Sequence, residues 1–141
     1  MLPDDDKTPP AGSKILPTAK PLLLVEDDAD ARELLGAQLR KAGYAVTEAS
    51  NGRIALDLLL SMIPAPFVVI LDLQMPVMDG WQLTAIMRSY HRLLMIPIVV
   101  VSAADVSPEA RRLFHSFFSK PCDPPALLGT IARIAAYQES E

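Results

Sequence analysis

The chain has one cysteine, Cys122, among 141 residues. A single thiol excludes an internal disulfide framework and a cysteine-built zinc cluster, and it suits a reducing compartment. Positive charge is not in excess: 13 Lys and Arg stand against 17 Asp and Glu, for a net charge of −4. A basic nucleic-acid footprint is therefore not expected. Long hydrophobic runs are missing too. Leu93–Val101 is nine residues and broken by Pro97, and Met62–Leu71 is ten and broken by Pro64 and Pro66, about half of a membrane span. The length leaves no room for a sensor, a kinase and an output module together, but it suffices for one domain with a real core. The expectation is a soluble cytoplasmic domain that binds neither nucleic acid nor membrane.

Residues 1–21 hold five of the thirteen prolines, three Asp, three Lys and no aromatic side chain. Proline-interrupted sequence of this kind sustains neither a helix nor an inner strand, and it lacks the apolar core of a secretory signal. It reads as a flexible N-terminal extension, with residues 22–138 as the folded domain.

From Leu22 the pattern is regular. Leu22–Val25, Tyr44–Glu48, Phe67–Leu71, Ile98–Val101 and Ser116–Ser119 read as strands. Between and after them, apolar residues recur at helical spacing. Ala31, Leu34, Leu35, Leu39 and Ala42 mark the first helix, and Ala55, Leu58, Leu59 and Met62 the second. Leu83, Ile86, Met87 and Tyr90 mark the third, and Leu127, Ile131, Ile134 and Ala135 the last. Ser107-Pro108-Glu109 opens the fourth, with a capping hydroxyl, a proline at the first position and an early acid. Most strands are unbroken apolar runs, as when helices cover both sheet faces. Five strand–helix pairs with right-handed crossovers predict an α/β fold, a doubly wound (βα)5 five-stranded parallel sheet in a single domain. Its ligands belong at the carboxyl ends of the strands.

That edge is where the polar residues fall. Glu26-Asp27-Asp28, Asp72, Ser102 and Lys120 each follow an apolar strand. Two carboxylates about 4 Å apart repel by roughly 4 kcal/mol at an effective dielectric near 20, so the cluster calls for a divalent cation. Oxygen-only ligands favour Mg²⁺ or Mn²⁺. A metal beside a carboxylate, an ammonium and a hydroxyl suits phosphoryl transfer, and Asp72, alone after its strand, is the natural nucleophile. Asp27 and Asp28 read equally well as a helix cap. His91 and His115 are solitary and read as surface residues rather than phosphodonors or metal ligands; Cys122 reads as an inert thiol, and Trp81 and the methionines as packing or partner surface.

LLLVEDDADARELL, VVILDLQMPVMDGWQL, IVVVSA and FFSKP, in this order, resemble the receiver domain of two-component response regulators, a flavodoxin-like fold. The resemblance runs from about Leu22 to the end of the last helix. It implies that Asp72 is the phosphoacceptor. Glu26 and Asp27 become the acidic pair at Mg²⁺, with Asp27 a direct ligand and Glu26 acting through water, and the Gln74 backbone carbonyl joins them. Ser102 matches the switch hydroxyl, Lys120 the family's cation and Phe117 its switch aromatic, and the Lys120–Pro121 bond is expected cis. The implied partner is a histidine kinase or a histidine phosphotransfer protein, and the implied product a signalling phosphoprotein rather than an enzyme.

Two features depart from the family pattern. The switch aromatic is Phe where Tyr is usual, and 18 residues separate Ser102 from Lys120, about one helical turn fewer than normal. The fourth helix is then expected to have about seven residues, or roughly 10 Å. Two other functions compete. An aspartyl-phosphate phosphatase needs a second acid two residues after its nucleophile, and Gln74 stands there. A phosphate-independent receiver-like adaptor would have no use for a complete acid, Asp, Ser and Lys set, but the shortened fourth helix keeps that reading open.

Overall fold

A computed structural model describes residues 19–139, so the expected extension lies outside the described residues but for its last three. The elements run β1 Pro21–Val25, α1 Ala29–Lys41, β2 Ala45–Ala49, α2 Gly52–Ser61 and β3 Val69–Leu71. They continue with α3 Gly80–Ser89, β4 Ile98–Ser102, α4 Pro108–Arg111, β5 Ser116–Ser119 and α5 Pro124–Glu139. The first strand takes in Pro21, one residue before the apolar run, because the Pro21 carbonyl accepts from the Phe67 amide at 2.9 Å. The sheet order is β2-β1-β3-β4-β5, every pair parallel. Chain order reverses at β1 and β3, the switch point where such sheets bind ligands.

Strand alternation explains the unbroken apolar runs. Leu23, Val25, Val69 and Leu71 pack against Ala55, Leu59, Leu83 and Met87 of α2 and α3. Their neighbours Leu22, Leu24 and Ile70 turn the other way, onto Leu39 of α1 and Leu127 and Ile131 of α5. Both faces of β1 and β3 are dry, so no position in them tolerates a polar side chain until the strand ends.

The helix starts are locally encoded. Asp28 caps α1 by accepting from the Asp30 amide, Asn51 caps α2 from Ile54, and Ser107 caps α4 from Ala110. Asp79 and Gln82 form a reciprocal capping box at α3.

Leu34 lies in α1, as its spacing predicts, and is 64% exposed. Two expectations need correction. Tyr90 lies beyond α3 as an extended C-cap, its side chain 40% exposed. And α4 has four residues rather than about seven. The reason lies in Phe114, buried in the core and 5.5 Å from the Trp81 ring. The chain reaches it through two tight turns, Leu113 amide to Ala110 carbonyl and Phe114 amide to Arg111 carbonyl, both 3.1 Å. None of the α4 residues is buried, so nothing anchors a longer helix against that pull.

Candidate functional site

Four strand ends place the reactive groups. Glu26 follows β1, Asp72 follows β3 and Ser102 ends β4, while Lys120 follows β5. Backbone bonds register them: the Glu26 amide donates to Ala49, the Asp72 amide to Val25 and the Lys120 amide to the Ser102 carbonyl, at 3.0, 3.1 and 3.0 Å. Asp72 is nearly saturated. Its Oδ1 accepts from Ser102 Oγ and from the Gln74 amide, each at 3.0 Å, and its Oδ2 accepts from Lys120 Nζ at 3.0 Å. Lys120 Nζ also reaches Glu26 Oε1 at 2.7 Å, and Glu26 Oε2 takes the Asp28 amide at 3.1 Å. Glu26, Asp72 and Ser102 are buried, whereas Asp27 is exposed.

One carboxylate oxygen from each of Glu26, Asp27 and Asp72 lies within 4.8 Å of the others. Lys120 bonds two of these acids; Asp27 has no cation partner among the described residues. Burial pushes the Glu26 carboxyl above its usual range, against the lowering effect of its bonds from Lys120 and Asp28. For Lys120 burial is the largest single influence and favours the neutral amine. The hydrogen bonds and charges of Glu26 and Asp72 together outweigh it and raise the pKa. The pocket therefore holds three acids around one firmly protonated ammonium, a donor set of hard oxygens that fits a divalent cation.

Glu26, Asp27, Asp72, Ser102 and Lys120 come together here, whereas Gln74 points its side chain to solvent and only its amide touches Asp72. The Lys120–Pro121 bond is cis. Ser102 points its hydroxyl at Asp72 and accepts from the Ala104 amide at 3.2 Å. Phe117 is half-buried against the α2–α3 side of the core.

Four supporting residues were not visible as such in the sequence. Arg32 bonds the Glu26 carbonyl at 2.8 Å, fixing the acidic turn from α1. The Arg111 guanidinium lies 4.3 Å above the Phe117 ring. A side chain on Gly80 would come within 2.7 Å of the Asp72 carbonyl, and one on Gly52 within 2.5 Å of the Met78 carbonyl. The two glycines let α2 and α3 close onto the loop after β3. For Gly80 the M-D-G run was the available signal; the arginines had none, because their contacts are made by folding.

The family model for the response regulator receiver domain matches residues 22–132. This chain belongs to that family. It is 32% identical to the response regulator Rre1 of Synechocystis over 124 residues, covering 84% of this chain and 53% of that one. The sensor histidine kinase RcsC of Salmonella typhimurium is also 32% identical, over 98% of this chain but 14% of its own. Among solved structures, the chemotaxis response regulator CheY4 of Vibrio cholerae superposes with a TM-score of 0.73 at 30% identity, over 83% of this chain and 99% of that one. The receiver thus spans about half of Rre1 and a small part of RcsC, and nearly all of CheY4. No helix among the described residues is long and apolar enough to cross a membrane.

Proposed function

We propose that Asp72 of this receiver accepts a phosphoryl group from the phosphohistidine of a histidine kinase or phosphotransfer protein. A carboxylate oxygen of Asp72 attacks phosphorus, the P–N bond breaks, and its electron pair returns to the departing imidazole, which takes up a proton. The product is an acyl phosphate on Asp72; water attacking its phosphorus later returns the carboxylate and inorganic phosphate. The observation that carries this reading is the convergence of Lys120 and Ser102 on Asp72 beside two further acids.

Glu26, Asp27, Asp72 and the Gln74 backbone carbonyl would hold Mg²⁺, with Mn²⁺ as a substitute. When bound, the ion supplies positive charge that offsets the oxygens of the phosphoryl group. Lys120 supplies a second positive charge, with its ammonium already committed to Asp72 and Glu26. Ser102 donates to whichever oxygen replaces Asp72 Oδ1, without first having to turn inward. Gln74 stands where an aspartyl-phosphate phosphatase carries its acid; a carboxamide has no proton to give a leaving group, which disfavours that activity. The adaptor reading draws on the inward Ser102 and the four-residue α4, since a switch already half-set has less to transmit.

Incubation with Mg²⁺ and acetyl phosphate tests the proposal. One phosphoryl group, stable to acid and labile to base, is expected on Asp72 by mass spectrometry, lost on chelation and in Asp72→Asn. Labelling that persists in Asp72→Asn, or proceeds undiminished without the metal, refutes it.

A further inference from the structure

The edge of the sheet opposite Asp72 has a composition of its own. The loop between α3 and β4, with Ile98 at the start of β4 and His115 just before β5, lines a cavity of about 240 Å³. Met95, Pro97 and His115 carry it into a second cavity of about 480 Å³, walled on the far side by Ile134 and Tyr137 of α5. No carboxylate lines either; their charged or chargeable groups are Arg88, Arg133 and His115. The apolar side chains here are wet: Met95 is 81% exposed, Leu94 46% and Leu113 44%. Contiguous exposure of this kind marks a contact surface rather than chance.

The chain's charges are sorted about this groove. Lys20, Arg32, Arg40, Arg53 and Lys120 each meet a carboxylate. Among the described residues, Lys41 at the end of α1 and Arg88, Arg92, Arg111, Arg112 and Arg133 meet none. Neutral acceptors hold four of the arginines: Arg88 donates to the Leu113 carbonyl, Arg92 to the Leu60 carbonyl, Arg111 to the Val106 carbonyl and Arg133 to Thr130 Oγ1. Such bonds position a guanidinium without neutralising it. From Thr84 to Ala104 the sequence contains no Asp or Glu. A protein of net charge −4 thus presents one locally positive, apolar groove.

We propose that this groove docks an acidic amphipathic segment of a partner protein, its apolar side chains on Leu94, Met95 and Leu113 and its carboxylates on Arg88 and Arg133. Charge complementarity selects the acidic partner, and the apolar lining selects a peptide over a nucleic acid, which would meet little but aliphatic wall here. The site lies at the strands' amino ends, away from the phosphoryl pocket, and does not depend on the chemistry proposed there.

The test is amide chemical-shift mapping on the full chain with a designed amphipathic peptide probe that places leucines on one face and glutamates beside them. Saturable shifts are expected at Met95, Leu113, His115 and Arg133, with Asp72 and Lys120 unmoved. Affinity should fall about ten-fold or more in Met95→Asp and in Arg88→Glu, and with rising salt. Met95 is a solvent-facing loop residue, so Met95→Asp separates lost docking from lost folding. A lysine-for-glutamate version of the peptide that binds equally well overturns the proposal. So does a shift pattern centred elsewhere, or tighter binding of single-stranded DNA or anionic vesicles at these same residues.

Discussion

At the scale of single residues, the loop after β3 carries a local cost that the site imposes. Val77 has φ of 70°, a left-handed conformation that a β-branched residue resists by about 1–2 kcal/mol. Its side chain is 78% exposed and gains little in return. Val77→Asn, which tolerates that conformation, is expected to raise stability by about 0.5–1 kcal/mol in urea denaturation, and an unchanged midpoint would contradict the strain. Cys122 shows a second residue-scale effect. Burial, followed by the Asp123 charge, pushes its thiol above the ordinary value. The thiolate is the nucleophile, so alkylation by iodoacetamide should be slow at neutral pH and accelerate at higher pH than for a free thiol. Rapid alkylation near pH 7 would contradict that assignment.

At the scale of elements, the contacts between α2, α3 and the loop after β3 hold the acid in place. Gly80→Ala puts a methyl 2.7 Å from both the Asp72 carbonyl and Leu73 Cα, backbone atoms that cannot swing aside. A loss of about 1–3 kcal/mol is expected, together with slower labelling of Asp72 by acetyl phosphate; a stability loss with an unchanged labelling rate would place the strain away from the acid. The α4–β5 unit makes a different point. Phe117 cannot use a hydroxyl, and its ring is instead covered by Arg111, itself anchored to the Val106 carbonyl at 3.1 Å. A cation over an aromatic face contributes about 0.5–1 kcal/mol at an exposed site. Arg111→Gln should therefore raise amide exchange across residues 103–119 before any phosphoryl mimic is added. Equal exchange in both proteins would make Arg111 a bystander.

At the scale of the whole molecule, Lys120 ties the ends of the chain together, 94 residues from Glu26 and 48 from Asp72. Its raised pKa means that its contribution is fully present below about 10.5 and fades as the pH climbs through the folded value. Lys120→Met leaves two buried acids facing each other, and a destabilisation of about 1–3 kcal/mol is expected near neutral pH. Glu26 already has an elevated pKa and would take up a proton as the pH falls. The loss should therefore shrink as the pH falls through the Glu26 value, and shrink also when Mg²⁺ is added at neutral pH. A loss of equal size in acid, with or without the metal, would assign it to the lysine's aliphatic stem.

The sequence by itself determined the sheet, its layers and the polar edge. Runs such as Leu22–Val25 and Val68–Leu71 have no stable placement except between two helical layers, and a polar residue can follow only where such a strand leaves the core. Glu26, Asp72 and Lys120 were therefore legible from position alone, and Asp28 as a cap from local chemistry. Tertiary structure alone decided what those groups do to one another. Whether Ser102 faces Asp72, which oxygen Lys120 takes, and that Arg111 covers Phe117 depend on how strands distant in sequence align. So does the length of α4, which local signals overestimate because they register its cap and not the burial of Phe114 that ends it. Periodicity and capping act within a few residues and survive in a string of letters; side-chain direction, charge pairing and the reach of a guanidinium exist only once the chain has closed upon itself.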